Sequence, residues 1–295
     1  MRLILMGMGG PLSSAPLQHL LRAGFAFDAV VMAAPHKEIR WRELRPPQLR
    51  PQTARLDPHA TRSIVQMAWD HGIALYETGN LRAAEVLDAL QRLEPDAVLV
   101  SCFDQRVPQT LLGLPRHGFL NLHPSLLPAY RGPHPLFWQL RNGLSEIGLT
   151  VHRMDAGLDT GPIALQTTIS LEDGMSGAQI EQRAGAQGGE LFAQVLNALA
   201  AGELSYSRQE AAGSSQERPR DADFALDRRW PARRAFNFMC GTAEWGCPYP
   251  VAVGDRRWLL RRAVAFDSAA SLPAPVVEHG DSLRIQFSPG VLEAV

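Results

Sequence analysis

"DAVLVSCFDQRVPQTLLGLPRHGFLNLHPS", residues 96–125, decides the fold. It holds two short apolar runs, "AVLV" and "FLNL", and each breaks off into polar or Pro-marked sequence. Runs this short and this evenly apolar read as strands buried on both faces, which is the habit of parallel sheets. Upstream, the same kind of run recurs as "RLILM" and "FAFDAVVMAAP", with "GIALYE" shorter. Between these runs, residues 13–23, 61–70 and 82–94 carry helical periodicity, the first stopping at Gly24 and the last amphipathic. Strands alternating with helices of this length predict βαβ units and an α/β, Rossmann-like, mostly parallel sheet.

Ligands of such sheets lie beyond the carboxyl ends of the strands. Three ends therefore matter here: "MGMGGP" at 6–11, "CFDQRVP" at 102–108 and "NLHPS" at 121–125. Asn121 and His123 stand in an i, i+2 relation on one strand, so they face the same side. An amide donates hydrogen bonds without titrating, and an imidazole gains and loses a proton near neutral pH. Side by side, they suit addition to a carbonyl through a tetrahedral intermediate: one holds the oxyanion, the other moves the proton. A carboxylate to hold that proton is best supplied by Asp159, in the glycine-bracketed loop "MDAGLDTGP"; Asp155 of the same loop competes for the role.

After Pro135 the pattern changes. "LFWQLRNG" is a short helix, residues 147–171 are two β-rich arms around a turn cluster, and 177–201 is a long helix. Residues 207–222, "SRQEAAGSSQERPRDA", are polar and nearly free of large apolar groups, the composition of a linker. Beyond it, "PYPVAVGDRRWLLRRAVAFD" reads as a hairpin turning at Gly254-Asp255, and "DSLRIQF" as a further strand. The expected organisation is a catalytic unit over 1–206, a linker over 207–222 and a small β-rich, OB-like unit over 223–295.

Composition narrows the function classes. The chain has 295 residues, 45% hydrophobic and 20% charged, with a formal net charge of −1, so no overall pull toward polyanions or membrane surfaces is expected. Three cysteines without a C-x-x-C and the absence of any long apolar run point to a cytoplasmic protein without a membrane span. "GMGG" at 7–10 fails as a dinucleotide fingerprint: Leu12 stands where a third glycine belongs, and no acid closes the second strand at Ala33-Ala34-Pro35. His134 and His152 could join His123 around a metal, but plain surface or satisfied polar positions explain both, and no metal is expected.

"NLHPSLLPAYRG" and, 36 residues from His123 to Asp159, "HRMDAGLDTGPI" together resemble the 10-formyltetrahydrofolate-dependent formyltransferase superfamily, methionyl-tRNA formyltransferase among them. The resemblance runs from residue 1 to about 205 and more weakly beyond. It implies an N-formyltransferase with 10-formyltetrahydrofolate as donor. Asn121 would polarise the formyl oxygen, His123 would act as general acid, and Asp159 would pair with His123. It implies a folate pocket built on Phe103, Gln105, Val107, Ser125, Leu126, Leu127 and Pro128, and an acceptor side lined by Gly9, Gly10 and Arg131. A folate- or nucleotide-binding protein without turnover is the competing class, although it would have no need of Asn121, His123 and Asp159 together.

The acceptor is expected to be a small-molecule amine, such as an amino sugar or an amino-acid-like amine. Methionyl-tRNA is the disfavoured alternative. The tRNA enzymes carry a basic, glycine-rich insertion after the second strand, whereas this chain reads "APHKEIRWRELRPPQLRPQTARL", with arginines and no glycine. "RGPHP" also departs from their small-residue version, and residues 221–295 hold nine arginines against nine acids. Arginines 40, 42, 45 and 50 could still form a local basic strip. A homodimer is left open.

Overall fold

The computed structural model describes residues 1–46, 63–210 and 212–295. Eight strands form one sheet in the order β3-β4-β2-β1-β5-β6-β7-β8. Its centre is parallel: β4 (Ala74–Thr78), β2 (Ala29–Ala33), β1 (Leu3–Gly7), β5 (Ala97–Ser101) and β6 (Phe119–His123). The edges are antiparallel, with β3 (Arg42–Glu43) on one side and the pair β7 (Glu146–Arg153) and β8 (Ile163–Ser170) on the other. All five residues of β1 and of β5 are buried, as their unbroken apolar runs require of strands covered on both faces. The α/β, mostly parallel expectation is met.

One face packs α1 (Pro11–Arg22) against α6 (Gly177–Ala201); α2 (Ile64–Asp70) lies beside α1. The other carries α3 (Ala84–Leu93) and the helical turn α4 (Gln109–Leu112), with Val86, Leu90 and Leu111 buried on Val98, Val100 and Phe119. The capping of α6 is written in its sequence. The Ser176 hydroxyl accepts from Gln179 N–H while the Gln179 side chain accepts from Ser176 N–H, and Gly202 closes the helix in the left-handed region.

The C-terminal region adds the ribbon β9 (Tyr249–Val253) and β10 (Arg256–Leu260), turning at Gly254-Asp255 as the sequence predicts. A four-stranded antiparallel sheet follows, ordered β11-β14-β13-β12: β11 (Ala263–Asp267), β12 (Val276–His279), β13 (Ser282–Gln286) and β14 (Val291–Ala294). The structure also contains a helix the sequence reading lacks, α7 (Ala232–Thr242). Its apolar side chains Ala235, Phe238 and Met239 are buried. Phe238 meets Phe137 of α5 (Pro135–Arg141) with ring centroids 5.4 Å apart, and Phe224, Trp245 and Tyr249 complete the aromatic cluster. Edge-to-face ring packing of this kind welds the C-terminal region to the core under the sheet.

Candidate active site

At the end of β6 the backbone opens, and Asn121 and His123 project from one face of the strand. Strand β7 runs antiparallel beside it and sets His152 opposite Asn121, with Asn121 Nδ2 and His152 Nε2 3.1 Å apart. The loop leaving β7 brings Asp159 between the two imidazoles: Oδ2 is 3.7 Å from His123 Nδ1 and Oδ1 is 3.7 Å from His152 Nε2. His123 and His152 are buried, and the Asp159 side chain is only 10% exposed. The structure therefore brings together the three residues singled out in the sequence and adds a fourth, His152. Strand β7 is buried on both faces from Ile147 to His152, so alternation does not single His152 out, and no motif marks it.

The protons can be assigned from the partners. Nε2 of His123 lies 2.9 Å from the Tyr130 carbonyl, which can only accept, so this nitrogen carries the hydrogen. Nδ1 of the neutral ring is then a free base turned toward Asp159. Burial lowers the His123 pKa below its ordinary 6.5, while the Asp159 carboxylate opposes that and favours the proton. Burial acts to raise the Asp159 carboxyl, yet the hydrogen bond to His152, the charge of His123 and the N–H of Gly132 (2.8 Å) outweigh it and hold Asp159 below its ordinary range. Asp159 is thus an anion waiting beside a neutral base. The Asn121 amide nitrogen faces His152 Nε2 at 3.1 Å, and an NH2 group carries a second hydrogen beyond the one such a contact can use.

Holding Asp159 there takes an unusual backbone. Its φ is +54°, in the left-handed region that side chains other than Asn, Asp and Gly seldom occupy. Asp155, the rival carboxylate, is spent inside the loop: its Oδ1 accepts from Gly157 N–H (2.9 Å) and from the Thr160 hydroxyl (2.7 Å). Gly161 lets the loop close, because a Cβ there would lie 1.8 Å from the Arg153 carbonyl oxygen. Arg106 donates to the Ala156 carbonyl from the β5 side.

The residues expected around a folate gather at the neighbouring strand end, in differing roles. Val107 is buried in the core against the α3 face, and Phe103 packs at the margin of that cluster. Gln105 donates to the Thr78 carbonyl (2.9 Å) and accepts from Leu81 N–H (3.0 Å), tying the β4 loop to the β5 loop. Ser125 is fully buried and donates to the Ala129 carbonyl (2.7 Å). Leu127 N–H donates to Thr150 Oγ1, Pro128 follows in the same turn, and Leu126 stands 41% exposed. On the acceptor side, Gly9 is exposed and Gly10 caps α1. Glu181 of α6 faces this loop, with Oε2 3.6 Å from where a Cβ on Gly10 would sit. Burial, and then Glu244, raise the Glu181 pKa. Arg131 does not reach into the crevice freely; its guanidinium is bound to the side chain of Gln209.

Residues 28–196 match the Formyl transferase family. A methionyl-tRNA formyltransferase from Geobacter sulfurreducens is 34% identical over 280 residues, covering 94% of this chain and 81% of its own. This chain belongs to the formyl transferase family. It is a formyl-transferring enzyme, and a binding protein without turnover is set aside. The fold agrees. A sugar 3N-formyl transferase superposes with a TM-score of 0.66 at 15% identity, over 100% of this chain and 96% of that one. A methionyl-tRNA formyltransferase from Clostridium thermocellum does so with 0.57 at 11%, over 100% and 99%. Among the described residues of this formyl transferase, no helix is long and apolar enough to cross a membrane.

Proposed function

We propose that this formyl transferase takes its formyl group from 10-formyltetrahydrofolate and passes it to the primary amine of a small molecule. The amine nitrogen attacks the formyl carbon, and the carbonyl oxygen becomes an oxyanion beside the Asn121 amide. A preorganised donor at that position typically contributes about 3 kcal/mol. The proton shed by the amine goes to Nδ1 of His123, where Asp159 stabilises the imidazolium. The same proton then reaches the folate nitrogen as its bond to the formyl carbon breaks. His123 ends neutral, as it began.

The observation that carries the acceptor class is electrostatic. Arg40, Arg42 and Arg45, the described part of the strip that could grip a nucleic acid, each face a carboxylate: Glu85, Glu77 and Glu43. Arg50 lies outside the described residues. Arginines that already face acids offer a phosphate backbone less uncompensated positive charge. Glu181 beside Gly10 adds a carboxylate on the acceptor side, which suits an amine or hydroxyl better than a phosphate.

Methionyl-tRNA is a second reading with observations of its own. The 34% identity spans 94% of the chain. In addition, Arg256, Arg257, Arg261 and Arg262 on and beside β10 form no ion pair among the described residues. One assay separates the two: release of tetrahydrofolate from 10-formyltetrahydrofolate with a panel of small amines and with methionyl-tRNA, across a salt series. The expected result is turnover on a small amine and negligible, salt-insensitive rates on the tRNA. Robust tRNA formylation that falls by roughly 10³-fold between low and moderate salt would reverse the assignment.

A further inference from the structure

Gln209 lies in the stretch whose composition reads as a linker, yet it is 9% exposed and its side-chain amide is fully used. Nε2 donates to the Asp159 carbonyl (2.9 Å) and to the Gly161 carbonyl (2.7 Å). Oε1 accepts from Arg131 Nε (3.1 Å) and Nη2 (2.7 Å). Carbonyls can only accept and a guanidinium can only donate, so these partners fix which end of the amide faces which way. The flanking backbone holds the same two loops. Ser207 pairs with Ile163 in both directions, and Ser214 N–H donates to Pro128 O while Ser214 O accepts from Arg131 N–H. The Ser214 hydroxyl accepts from Tyr130 N–H (2.8 Å), and Gln216 N–H donates to Arg131 O (2.8 Å).

The two loops so joined are the ones that present the partners of His123. The loop of Tyr130 offers the carbonyl to Nε2, and the loop of Asp159 offers the carboxylate to Nδ1. We propose that Gln209 is a positioning residue for formyl transfer, and that Arg131 is its tether to the Tyr130 loop rather than a contact for the acceptor. Gln209 touches neither the imidazole nor the carboxylate of Asp159; it acts through the backbone that holds Asp159 at positive φ. The inference needs formyl transfer and His123 chemistry but no particular acceptor, so it stands whichever amine the enzyme uses.

Gln209→Glu tests this most sharply. The ionised glutamate keeps Arg131 as an ion pair but cannot donate to the Asp159 and Gly161 carbonyls. With whichever acceptor the wild type turns over, Q209E is expected to lose kcat by about tenfold or more, as displacement of a catalytic group does. The acceptor KM stays near the wild-type value. Titration of the His123 imidazole by NMR, which needs no substrate, should show its pKa moving further down as the Asp159 carboxylate loosens. Q209A should behave like Q209E, and R131M should show a smaller change of the same sign. A Q209E enzyme with wild-type kcat and His123 titration would overturn the proposal. So would an effect confined to acceptor KM in R131M, which would return Arg131 to the acceptor. Loss of thermal stability with an unmoved His123 titration would reduce Gln209 to packing alone. If Q209A does not fold, Q209E and R131M carry the test.

Discussion

Two polar-rich stretches, residues 207–217 and 256–262, place their polar side chains in opposite ways. Residues 207–217 hold no large apolar side chain and no periodicity, yet they hydrogen-bond with the Tyr130 and Asp159 loops that flank His123, and Trp138 Nε1 donates to the Glu217 carbonyl (2.9 Å). Residues 256–262 are an ordinary strand by pattern, yet Arg256, Arg257, Arg261 and Arg262 face solvent and Leu259 is 60% exposed. The first stretch has few apolar groups to bury and is held by its backbone; the second has an apolar side but leaves its charges unmatched. Both backbones find partners, the second with β9 and with Val295; what separates the segments is that polar side chains of the first, Gln209 and Ser214, are bonded inside the protein, whereas the arginines of the second face solvent.

The comparison can be broken at its His123 end first. His123→Ala and Asn121→Ala should each lower kcat/KM by roughly a hundredfold, the cost of one oxyanion donor or one positioned proton carrier, with the fold retained. Steady-state rates with a matched melting curve check this. Next comes Gly132→Ala. A Cβ there would lie 2.2 Å from the Gln216 carbonyl oxygen, and φ is +119°, so the docked segment must lift away. A destabilisation of about 1–3 kcal/mol by denaturant melt, together with a loss of rate, is expected. The exposed end should be the least sensitive: Arg256→Glu with Arg257→Glu ought to leave stability within about 0.5 kcal/mol and small-amine turnover unchanged.

The pH dependence follows from the same pair. A buried His123 held neutral, with its pKa below 6.5, binds fewer protons than in the unfolded chain. Its contribution to stability is therefore full above pH 6.5 and is lost as pH falls from there through the folded value. Asp159, depressed below 3.8, adds a second loss as pH falls from 3.8 through its own folded value. Denaturant melts across pH should show both declines in the wild type and lose the second in Asp159→Asn.

Much of this was readable from residues alone. The sheet followed from apolar run length, because β1 and β5 must be buried on both faces, and Asn121 with His123 followed from their i, i+2 spacing at a strand end. His152 reads in the sequence as a satisfied polar position, because a polar residue in a regular strand carries no further signal until its register neighbour, Asn121, is known. Gln209 was invisible for a related reason: its partners Asp159 and Arg131 lie 50 and 78 residues away. Helix α7, "ARRAFNFMCGT", opens on strong helix formers but mixes in Phe, Asn, Cys, Gly and Thr, and its packing rests on burying Ala235, Phe238 and Met239, a tertiary cause.

The central claim is that Asp159, and not its loop neighbour Asp155, holds the proton of formyl transfer on His123. The direct measurement is the single-turnover rate of formyl transfer for Asp159→Asn beside Asp155→Asn at neutral pH. Asp159→Asn should fall by about a hundredfold or more, because the imidazolium loses its counter-charge in a buried site, while Asp155→Asn keeps a rate within about tenfold of wild type through its remaining turn contacts. The reverse order, or equal rates in both variants, would contradict the account.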